Sequence, residues 1–469
     1  MARLPLHTIV SSLALAFPFT VAAASDADIQ ELREQLRQLK QSYEQRIENL
    51  EKRLAQAEAS AAKTEQGAAQ TRSAAPQPGA RPASDSAFNP AVSVILDGKY
   101  TRLSRDPNSF QITGFAPSLG EVGPAPRSFS LGESELNISA NIDPWFRGHF
   151  TAAMTPENEV EVEEAYIQTL ALGGGVTLKG GRFFSGIGYL NEQHAHVWDF
   201  ADAPLPYKAF FGNQLGNDGV QLKWVAPTDL YVELGAEAAR GGAFPSTDRN
   251  KNGTTLGAFF ARVGGDIGTS ANWRAGLSQV NASPRDRAYE DTDSLGGATV
   301  NAFSGKSRTT IADFVLKWAP EGNAKYTSFK LQGEYFRRRE TGELGFDDSG
   351  GSALLGAVSD AYRSTQSGWY VQGVYQFMPA WRVGLRHDRL RYGTVDIGLV
   401  NNGVLTAADF PLLTPYDPKR NTVMVDWSPS EFSRVRLQLA QDKSALGTTD
   451  NQLWLQYIMS LGAHGAHKF

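Results

Sequence analysis

The sequence predicts an all-β protein: a sixteen-stranded antiparallel transmembrane β-barrel preceded by an N-terminal α-helical coiled coil. Three observations lead to this prediction. The chain of 469 residues begins with a short apolar stretch that ends in small residues. The next segment repeats apolar residues with a seven-residue period, and from about residue 89 apolar and polar residues alternate in segment after segment. The first pattern indicates export, the second a coiled coil, and the third a series of strands with one apolar face.

Residues 1–24 have the pattern of a secretory signal peptide. Arg3 precedes about a dozen apolar residues, and Ala22-Ala23-Ala24 follow where a signal peptidase would cut. The apolar stretch is shorter than the roughly 20 residues that a membrane-spanning helix needs. The chain contains no cysteine, which excludes disulfides and thiolate metal sites. Its net charge of -5 provides no basic surface for nucleic acid.

Residues 25–60 predict a coiled coil that joins copies of the chain. The apolar seam follows 3-4 spacing with one extra four-residue step, and Glu, Lys and Arg flank it (Ile29, Leu32, Leu36, Leu39, Tyr43, Ile47, Leu50, Leu54 and Ala57). A single amphipathic helix packed on the rest of the protein is the alternative. Residues 61–88 are rich in Ala, Gln, Pro, Gly and Ser, which predicts a flexible linker.

Residues 89–469 predict the barrel. Leu455, Tyr457 and Met459 alternate with polar residues, and similar segments begin near residues 92, 130, 145, 160, 175, 216, 229, 254, 271, 308, 325, 367, 380, 419, 432 and 451. Tight turns are expected at 143–144, 173–175, 226–229, 269–272, 320–325, 378–380 and 428–432, and long loops at 283–307, 339–366 and 393–418. This alternation of short and long connections is typical of barrels in the bacterial outer membrane, with lipid around the outside. A soluble all-β domain is the alternative.

Aromatic residues stand where a membrane barrel would place them. Phe469, the last residue, is in phase with Leu461 and would close the lipid-facing row of the last strand. A C-terminal aromatic residue resembles the signal that outer-membrane proteins present to the barrel assembly machinery. Trp residues recur at strand ends, as an interfacial girdle requires (Trp224, Trp318, Trp381 and Trp427).

The overall plan resembles that of the trimeric phosphate-selective porins O and P. The segment "EEAYIQTLALGGGVTLKGGRFFSGIGYLNEQH" (163–194) is similar to the strand, turn and strand that precede the third loop in that family. The resemblance implies a homotrimer whose third loop folds into the barrel and narrows it. The stretches "FNPAVSVILDG" (88–98) and "GAHGAHKF" (462–469) also resemble proteins labelled zinc-regulated outer-membrane receptors.

The third loop, about 185–215, is too rich in aromatic residues to be a solvated connection. Folded inward, it would form a constriction that carries His194, His196, Trp198, Asp199, Asp202 and Lys208. His194 and His196 flank one residue, so both could face the same way and share a transient Zn²⁺ ion. Glu192, Asp199 and Asp202 could add oxygen ligands. Alternatively, both imidazoles form local hydrogen bonds and shape the pore, and no other cofactor is expected.

The lumen face is predicted to carry charges of both signs. Its basic residues are Lys223, Lys317, Lys330, Arg382, Arg386, Arg434 and Arg436. Its acidic residues are Glu233, Glu237, Asp313, Glu334, Asp388 and Asp442. A phosphate channel would need a ladder of cationic donors, whereas mixed walls predict a weakly selective, water-filled pore. The acidic run from Glu157 to Glu164 could attract cations or form a solvated rim.

These features predict an outer-membrane channel for passive diffusion of small hydrophilic solutes or ions. The alternatives are a metal (zinc) uptake protein that uses His194 and His196, and a structural barrel tethered by its coiled coil. We do not expect an enzyme, because no nucleophile is paired with a base and no nucleotide or HExxH motif occurs. A TonB-dependent transporter is also not expected, because only about sixty residues lie between the predicted signal peptide and the barrel, too few for a plug domain.

Overall fold

The computed structural model describes residues 90–118, 122–155, 159–349 and 355–462. The predicted signal peptide, coiled coil and linker lie outside these residues, as does Phe469, so those predictions stay predictions.

The described residues form one antiparallel sheet of eighteen strand segments with few helices. The segments are β1 (Ala91–Leu103), β2 (Ser128–Leu131), β3 (Ser134–Asn141), β4 (Phe146–Met154), β5 (Val160–Thr169), β6 (Val176–Phe184), β7 (Gly216–Val225), β8 (Tyr231–Ala239), β9 (Leu256–Ile267), β10 (Ala271–Ala282), β11 (Arg287–Thr292), β12 (Ala298–Trp318), β13 (Ser328–Asp347), β14 (Ala357–Met378), β15 (Trp381–Ile397), β16 (Lys419–Ser430), β17 (Ser433–Lys443) and β18 (Asp450–Gly462). The α-helices are α1 (Leu205–Phe211) and α2 (Gly398–Asn401).

These segments make sixteen barrel strands. The segments β2 and β3 both pair with β1, one with its second half and the other with its first half, so they are one interrupted strand. In the same way β10 and β11 pair with successive parts of β12. The first and last strands pair from Ser93↔Gly462 to Leu103↔Gln452, which closes the sheet. The predicted sixteen-stranded antiparallel barrel is therefore confirmed.

The outer surface of the barrel is apolar and the opposite face is polar. In β17, Leu437 and Leu439 are 44% and 46% exposed, whereas the intervening Gln438 is fully buried. The indoles of Trp381 and Trp427 stack at 6.1 Å beside two of the tight turns. A closed barrel with an apolar exterior and an aromatic girdle suits lipid, and its unpaired edges are removed by closure. The chain is therefore a bacterial outer-membrane protein.

Among the described residues, no helix is long and apolar enough to cross a membrane.

The tight turns lie where the sequence predicts them. For example, β14 ends at Met378 and β15 begins at Trp381, and β16 ends at Ser430 three residues before β17 begins. All of these short connections lie at one end of the barrel, because they join consecutive antiparallel strands at every second connection.

Two of the predicted long loops are wrong. Much of 283–307 and 339–366 is strand, because β12, β13 and β14 are 21, 20 and 22 residues long. A strand needs about 9–11 residues to cross the hydrocarbon core. These hairpins therefore continue well past the membrane on the side of the long connections.

These two loops were predicted wrongly because the apolar residues of the strands move from the outer face to the inner face along the strand. Near the tight-turn end of β13, Tyr335 is 46% exposed and faces lipid. Further along the same strand, the outward Arg337 and Arg339 are exposed, whereas the inward Phe336 and Phe346 are buried. The two-residue period continues, but the apolar residues move from the outer face to the inner one. A prediction that assumes the same apolar face along the whole strand therefore assigns the half away from the tight turn to a loop.

Candidate functional site

The segment between β6 and β7, residues 185–215, has both its ends at one place on the barrel wall. The Gln214 side-chain amide donates to the backbone carbonyls of Asn191 and Gln193, both at 2.9 Å. The Leu215 N–H donates to the Asn191 side-chain oxygen at 2.8 Å. We call residues 185–215 the β6–β7 segment. Its middle part, from about 194 to 213, is thus a loop with a closed neck.

Helix α1 anchors the middle of this segment through apolar packing. Pro206 stands in its first turn, where a missing N–H costs nothing, and Gly212 ends it with a φ of 66°. All seven helical residues are buried. The Tyr207 ring lies 5.0 Å from that of Phe336 on β13, in an edge-to-face arrangement. Ile311, Phe336 and Leu390 belong to the same buried cluster, although they lie on the polar face of their strands.

Glu334 on β13 organises the backbone at the start of the segment. Its carboxylate accepts hydrogen bonds from the N–H groups of Tyr189 and Leu190, at 3.2 and 3.1 Å. It also accepts from the hydroxyls of Tyr207 and Tyr370, at 2.9 and 2.5 Å. These four bonds satisfy a buried carboxylate that otherwise would be costly to desolvate.

Two aspartates join the segment to a basic wall formed by β13 to β17. Asp199 accepts hydrogen bonds from Lys330 at 2.9 Å and from Arg382 at 3.1 Å. Asp202 accepts from Arg386 at 3.1 Å and from Arg420. These pairs are largely buried, so both members depend on each other.

The electrostatics of Asp202 reflect this pairing. Burial acts to raise the pKa of the Asp202 carboxyl, but Arg420, Arg386 and Lys208 outweigh burial and hold the pKa well below its usual value. The carboxylate therefore stays ionised throughout the physiological pH range.

The two histidines face an acidic wall formed by β3 to β5. His194 Nδ1 lies 3.0 Å from Glu163 and 3.3 Å from Glu135, and its Nε2 lies 3.0 Å from Glu164. His196 Nδ1 lies 2.7 Å from Glu135. Burial acts to lower the pKa of His194, but its hydrogen bonds to Glu163 and Glu164 outweigh burial and raise the pKa well above its ordinary value. Both ring nitrogens of His194 thus lie against carboxylates, which stabilise the charged form of the ring.

A third histidine, His149, lies beside Glu164 in the same group. We call Glu135, His149, Glu163, Glu164 and His194 the acidic corner. His149 on β4 has its Nε2 3.5 Å from Glu164, and its ring stacks on that of Tyr166 at 5.0 Å. His149 and Glu164 point to the same face because Thr151 pairs with Glu164 and His149 with Tyr166 across β4 and β5. Sequence reasoning singled out Glu163 and Glu164 only as part of an acidic run. It missed Glu135 and His149, whose one signal is an inward position on neighbouring strands.

The other oxygen ligands expected for the histidines lie elsewhere. Glu192 pairs with Arg262 at 2.9 Å, while Asp199 and Asp202 face the basic wall. The carboxylates that contact His194 are instead Glu135, Glu163 and Glu164.

The remaining residues predicted for the constriction are buried in the segment. Trp198 is 6% exposed, its indole N–H donates to the Gln193 carbonyl at 2.7 Å, and its own carbonyl accepts from Arg436 at 2.8 Å. Lys208 is 3% exposed and lies 3.4 Å from Asp202. The structure therefore brings Asp202 and Lys208 together and places Trp198 against Arg436, whereas His194 and His196 contact the acidic wall.

The basic side chains predicted for the lumen all lie on the face opposite the exposed apolar residues. They are distributed over β7, β12, β13, β15 and β17 (Lys223, Lys317, Lys330, Arg382, Arg386, Arg434 and Arg436). Most pair with a carboxylate. Lys223 lies 3.7 Å from Glu233, and Asp426 accepts from Arg436 at 2.8 Å and lies 4.0 Å from Arg434.

A cavity of about 950 Å³ remains beside the β6–β7 segment. Charged and aromatic residues line it, including Glu133, Glu163, Arg182, Phe184, Trp198 and Lys208. The acidic corner therefore borders open space through Glu163.

Comparisons with solved structures find outer-membrane channels at low similarity. The outer-membrane channel DcaP of Acinetobacter baumannii is 10% identical, with 81% of this chain and 99% of that chain covered and a TM-score of 0.48. OprB of Pseudomonas putida is 12% identical over 80% and 95%, with a TM-score of 0.45. An anion-selective porin from Comamonas acidovorans is 10% identical over 80% and 99%, also with a TM-score of 0.45.

No protein-family model matches the chain. Among curated proteins, an uncharacterized protein of Aquifex aeolicus is 30% identical over 413 residues, which are 83% of this chain and 81% of that protein. Identity at this level across most of both chains indicates common descent and a common fold. The chain therefore belongs to the same family as this uncharacterized Aquifex aeolicus protein.

Proposed function

We propose that the protein is an outer-membrane channel for passive diffusion of small hydrophilic solutes or ions, narrowed by the β6–β7 segment folded into its lumen. The observation that carries this proposal is that one segment contacts both walls of a closed barrel. Asp202 bonds to Arg386 on β15, and His194 bonds to Glu164 on β5. Contacts with inward side chains of both walls support a segment that lies within the lumen.

The size of the barrel supports a conducting pore. Barrels of 16 to 18 strands leave an aqueous channel when nothing fills them. α1 and its aromatic neighbours pack against β12 to β15, and residues of β5, β6 and β7 help to line the cavity of about 950 Å³ beside them. The solutes that pass are therefore small, and they meet carboxylates and cations on the same path.

We propose that the pore has no strong phosphate selectivity. An anion ladder needs cationic donors that are free to bind the ion. Lys330, Arg382 and Arg386 instead donate to Asp199 and Asp202. Because these carboxylates offset much of the charge of the three cations, the pore should discriminate weakly between anions and cations.

The purified protein is expected to give discrete single-channel currents in planar lipid bilayers. The reversal potential in asymmetric potassium chloride should lie close to zero, because charges of both signs line the path. The control is the same preparation after heat unfolding, which should give none. Absence of current from folded protein would contradict the channel and favour the structural barrel. A large reversal potential of either sign would contradict weak selectivity.

We further propose that three copies of the chain assemble, held by the predicted coiled coil at 25–60. The support is the heptad spacing of its apolar residues, which bury a seam only against partner helices.

Deletion of residues 25–60 is expected to convert the cross-linked trimer into monomers. The barrel itself should still insert in lipid and conduct, because its sheet closes without that segment. Chemical cross-linking in detergent followed by gel electrophoresis measures the oligomer. A trimer that persists after the deletion would mean that the barrel walls carry the assembly.

A further inference from the structure

We propose that His149, Glu164 and His194 bind a divalent transition-metal ion of the Zn²⁺ class on the inner wall of the barrel. This inference deepens the proposed function, since the ion would reach the site through the lumen. Two imidazoles and one carboxylate form the ligand set of zinc sites that keep a fourth position open. The three ligand atoms all lie within 4.8 Å of one another.

The distances match what such a site requires. Bonds of about 2.0–2.1 Å in a tetrahedral arrangement place ligand atoms roughly 3.4 Å apart. Nε2 of His149 lies 3.5 Å from Glu164 Oε2, and Nε2 of His194 lies 3.0 Å from the same oxygen. Small side-chain adjustments would therefore admit an ion among these three atoms.

The surroundings of His194 favour an ion bound to its Nε2 over an ion bound to its Nδ1. A second group, made of Glu135, Glu163 and His194 Nδ1, also has three ligand atoms close together, but it contains one imidazole only. With the ion on Nε2, the Nδ1–H would donate to Glu163 at 3.0 Å, with Glu135 at 3.3 Å. A carboxylate behind a ligating histidine is the arrangement that orients the ring and makes it a better ligand.

The remaining ligands come from a rigid wall. His149 and Glu164 lie on adjacent strands whose pairing fixes both side chains on one face. His194 is the one ligand of the β6–β7 segment. An ion at this site would therefore tie the segment to the acidic wall, much as Asp202 ties it to the basic wall.

The corner also has a surplus of negative charge and an approach route. Glu135, Glu163 and Glu164 are clustered around His194, and Glu133 and Glu163 line the cavity. Besides His194, the cations Lys99 and Lys179 act on these carboxylates. Several buried carboxylates repel one another, so a bound dication would lower their mutual repulsion. The open cavity supplies the entry path that a usable metal site needs.

The test is equilibrium binding of Zn²⁺ to the purified, detergent-solubilised protein by isothermal titration calorimetry. Wild type is expected to bind one ion per chain. His149→Ala should weaken binding by at least about tenfold, since even outer partners change metal affinity by 10–100-fold. Glu135→Gln should have a smaller effect than His149→Ala, because Glu163 still accepts from His194. The matched control is His387→Ala, a half-buried histidine on the outward face of β15 bound to Asn421, which should leave binding unchanged.

Each contrary result overturns the proposal. Wild type without measurable Zn²⁺ binding would remove the site. Wild-type affinity in His149→Ala, or a larger loss in Glu135→Gln than in His149→Ala, would place the ion on the other side of His194. The heat-dependent gel migration of folded barrels checks that each variant is folded. Because binding is measured without current, a folded protein that binds Zn²⁺ but does not conduct would refute the channel and leave the site standing.

Discussion

Excision of residues 194–213 is expected to raise the single-channel conductance severalfold. This stretch contains α1, Asp199 and Asp202, which fill the lumen in the proposed pore. Without it, a sixteen-stranded barrel retains its wide aqueous channel. Single-channel recording in planar bilayers at fixed potassium chloride measures the change.

The geometry of the neck makes this excision practicable. Gln214 already bonds to the Asn191 and Gln193 carbonyls, so two glycines can join Gln193 to Gln214 without stretching the chain. Replacement of residues 194–213 by a Gly-Ser chain of equal length is the control, since it keeps the chain length but removes the packing. Unchanged conductance in the folded, excised barrel would contradict the inward position of the segment.

The architecture of the barrel was predictable because the membrane imposes a simple rule. A strand that crosses lipid has to show apolar residues outward, so Leu437 and Leu439 stand out from the intervening Gln438 in the sequence itself. The same rule fails above the membrane. There Phe346 lies on the inner face and Arg339 on the outer face. The two-residue period therefore no longer shows which face of the strand is the outer one.

The candidate site was predictable only in part, because its two halves lie on different elements. His194 and His196 attract notice as neighbours in the chain. Glu135 contacts these histidines, and His149 contacts Glu164 beside them. Both come to the site through the pairing of β3 with β4 and the path of the β6–β7 segment. Proximity in sequence suggested Glu192 as a ligand, but Arg262 on β9 holds that carboxylate. A pattern within one segment cannot reveal which wall the segment will face.

The sequence does contain one signal for the position of α1, namely apolar residues at inward positions of the strands. Ile311, Phe336 and Leu390 occupy positions of their strands that face inward, where a water-filled pore should have polar residues. They lie in one row across β12 to β15, with Gly368 between Phe336 and Leu390. A Cβ at Gly368 would lie 2.4 Å from the Leu390 side chain and 3.3 Å from Pro206 of α1. An apolar row with a glycine gap thus marks where α1 packs against these strands.

Asp202→Ala is expected to lower the free energy of unfolding by about 3–5 kcal/mol, the usual cost of removing one member of a buried ion pair. Asp202 accepts hydrogen bonds from Arg386, Arg420 and Gln438, and Lys208 lies 3.4 Å away. The variant leaves these cations next to one another without the carboxylate between them. Urea unfolding followed by tryptophan fluorescence measures the loss.

The matched control is Asp248→Ala. Asp248 also pairs with an arginine, Arg240, at 2.7 Å, but both side chains are more than half exposed. It removes the same charge, and exposed pairs contribute roughly 0–1 kcal/mol. Because both variants remove one carboxylate, the difference between their free energies of unfolding measures the effect of burying the ion pair.

The same variant should change the current as well as the stability. Besides the packing of α1, the Asp202 carboxylate holds the middle of the β6–β7 segment against β15 and β16. Without it, repulsion among Arg386, Arg420 and Lys208 favours a segment that leaves the basic wall, so the open current should become larger and noisier. The reversal potential should shift towards anion selectivity, because the wall gains net positive charge. A variant as stable as Asp248→Ala, with wild-type current, would mean that the aromatic packing of α1 alone holds the segment and that Asp202 contributes little.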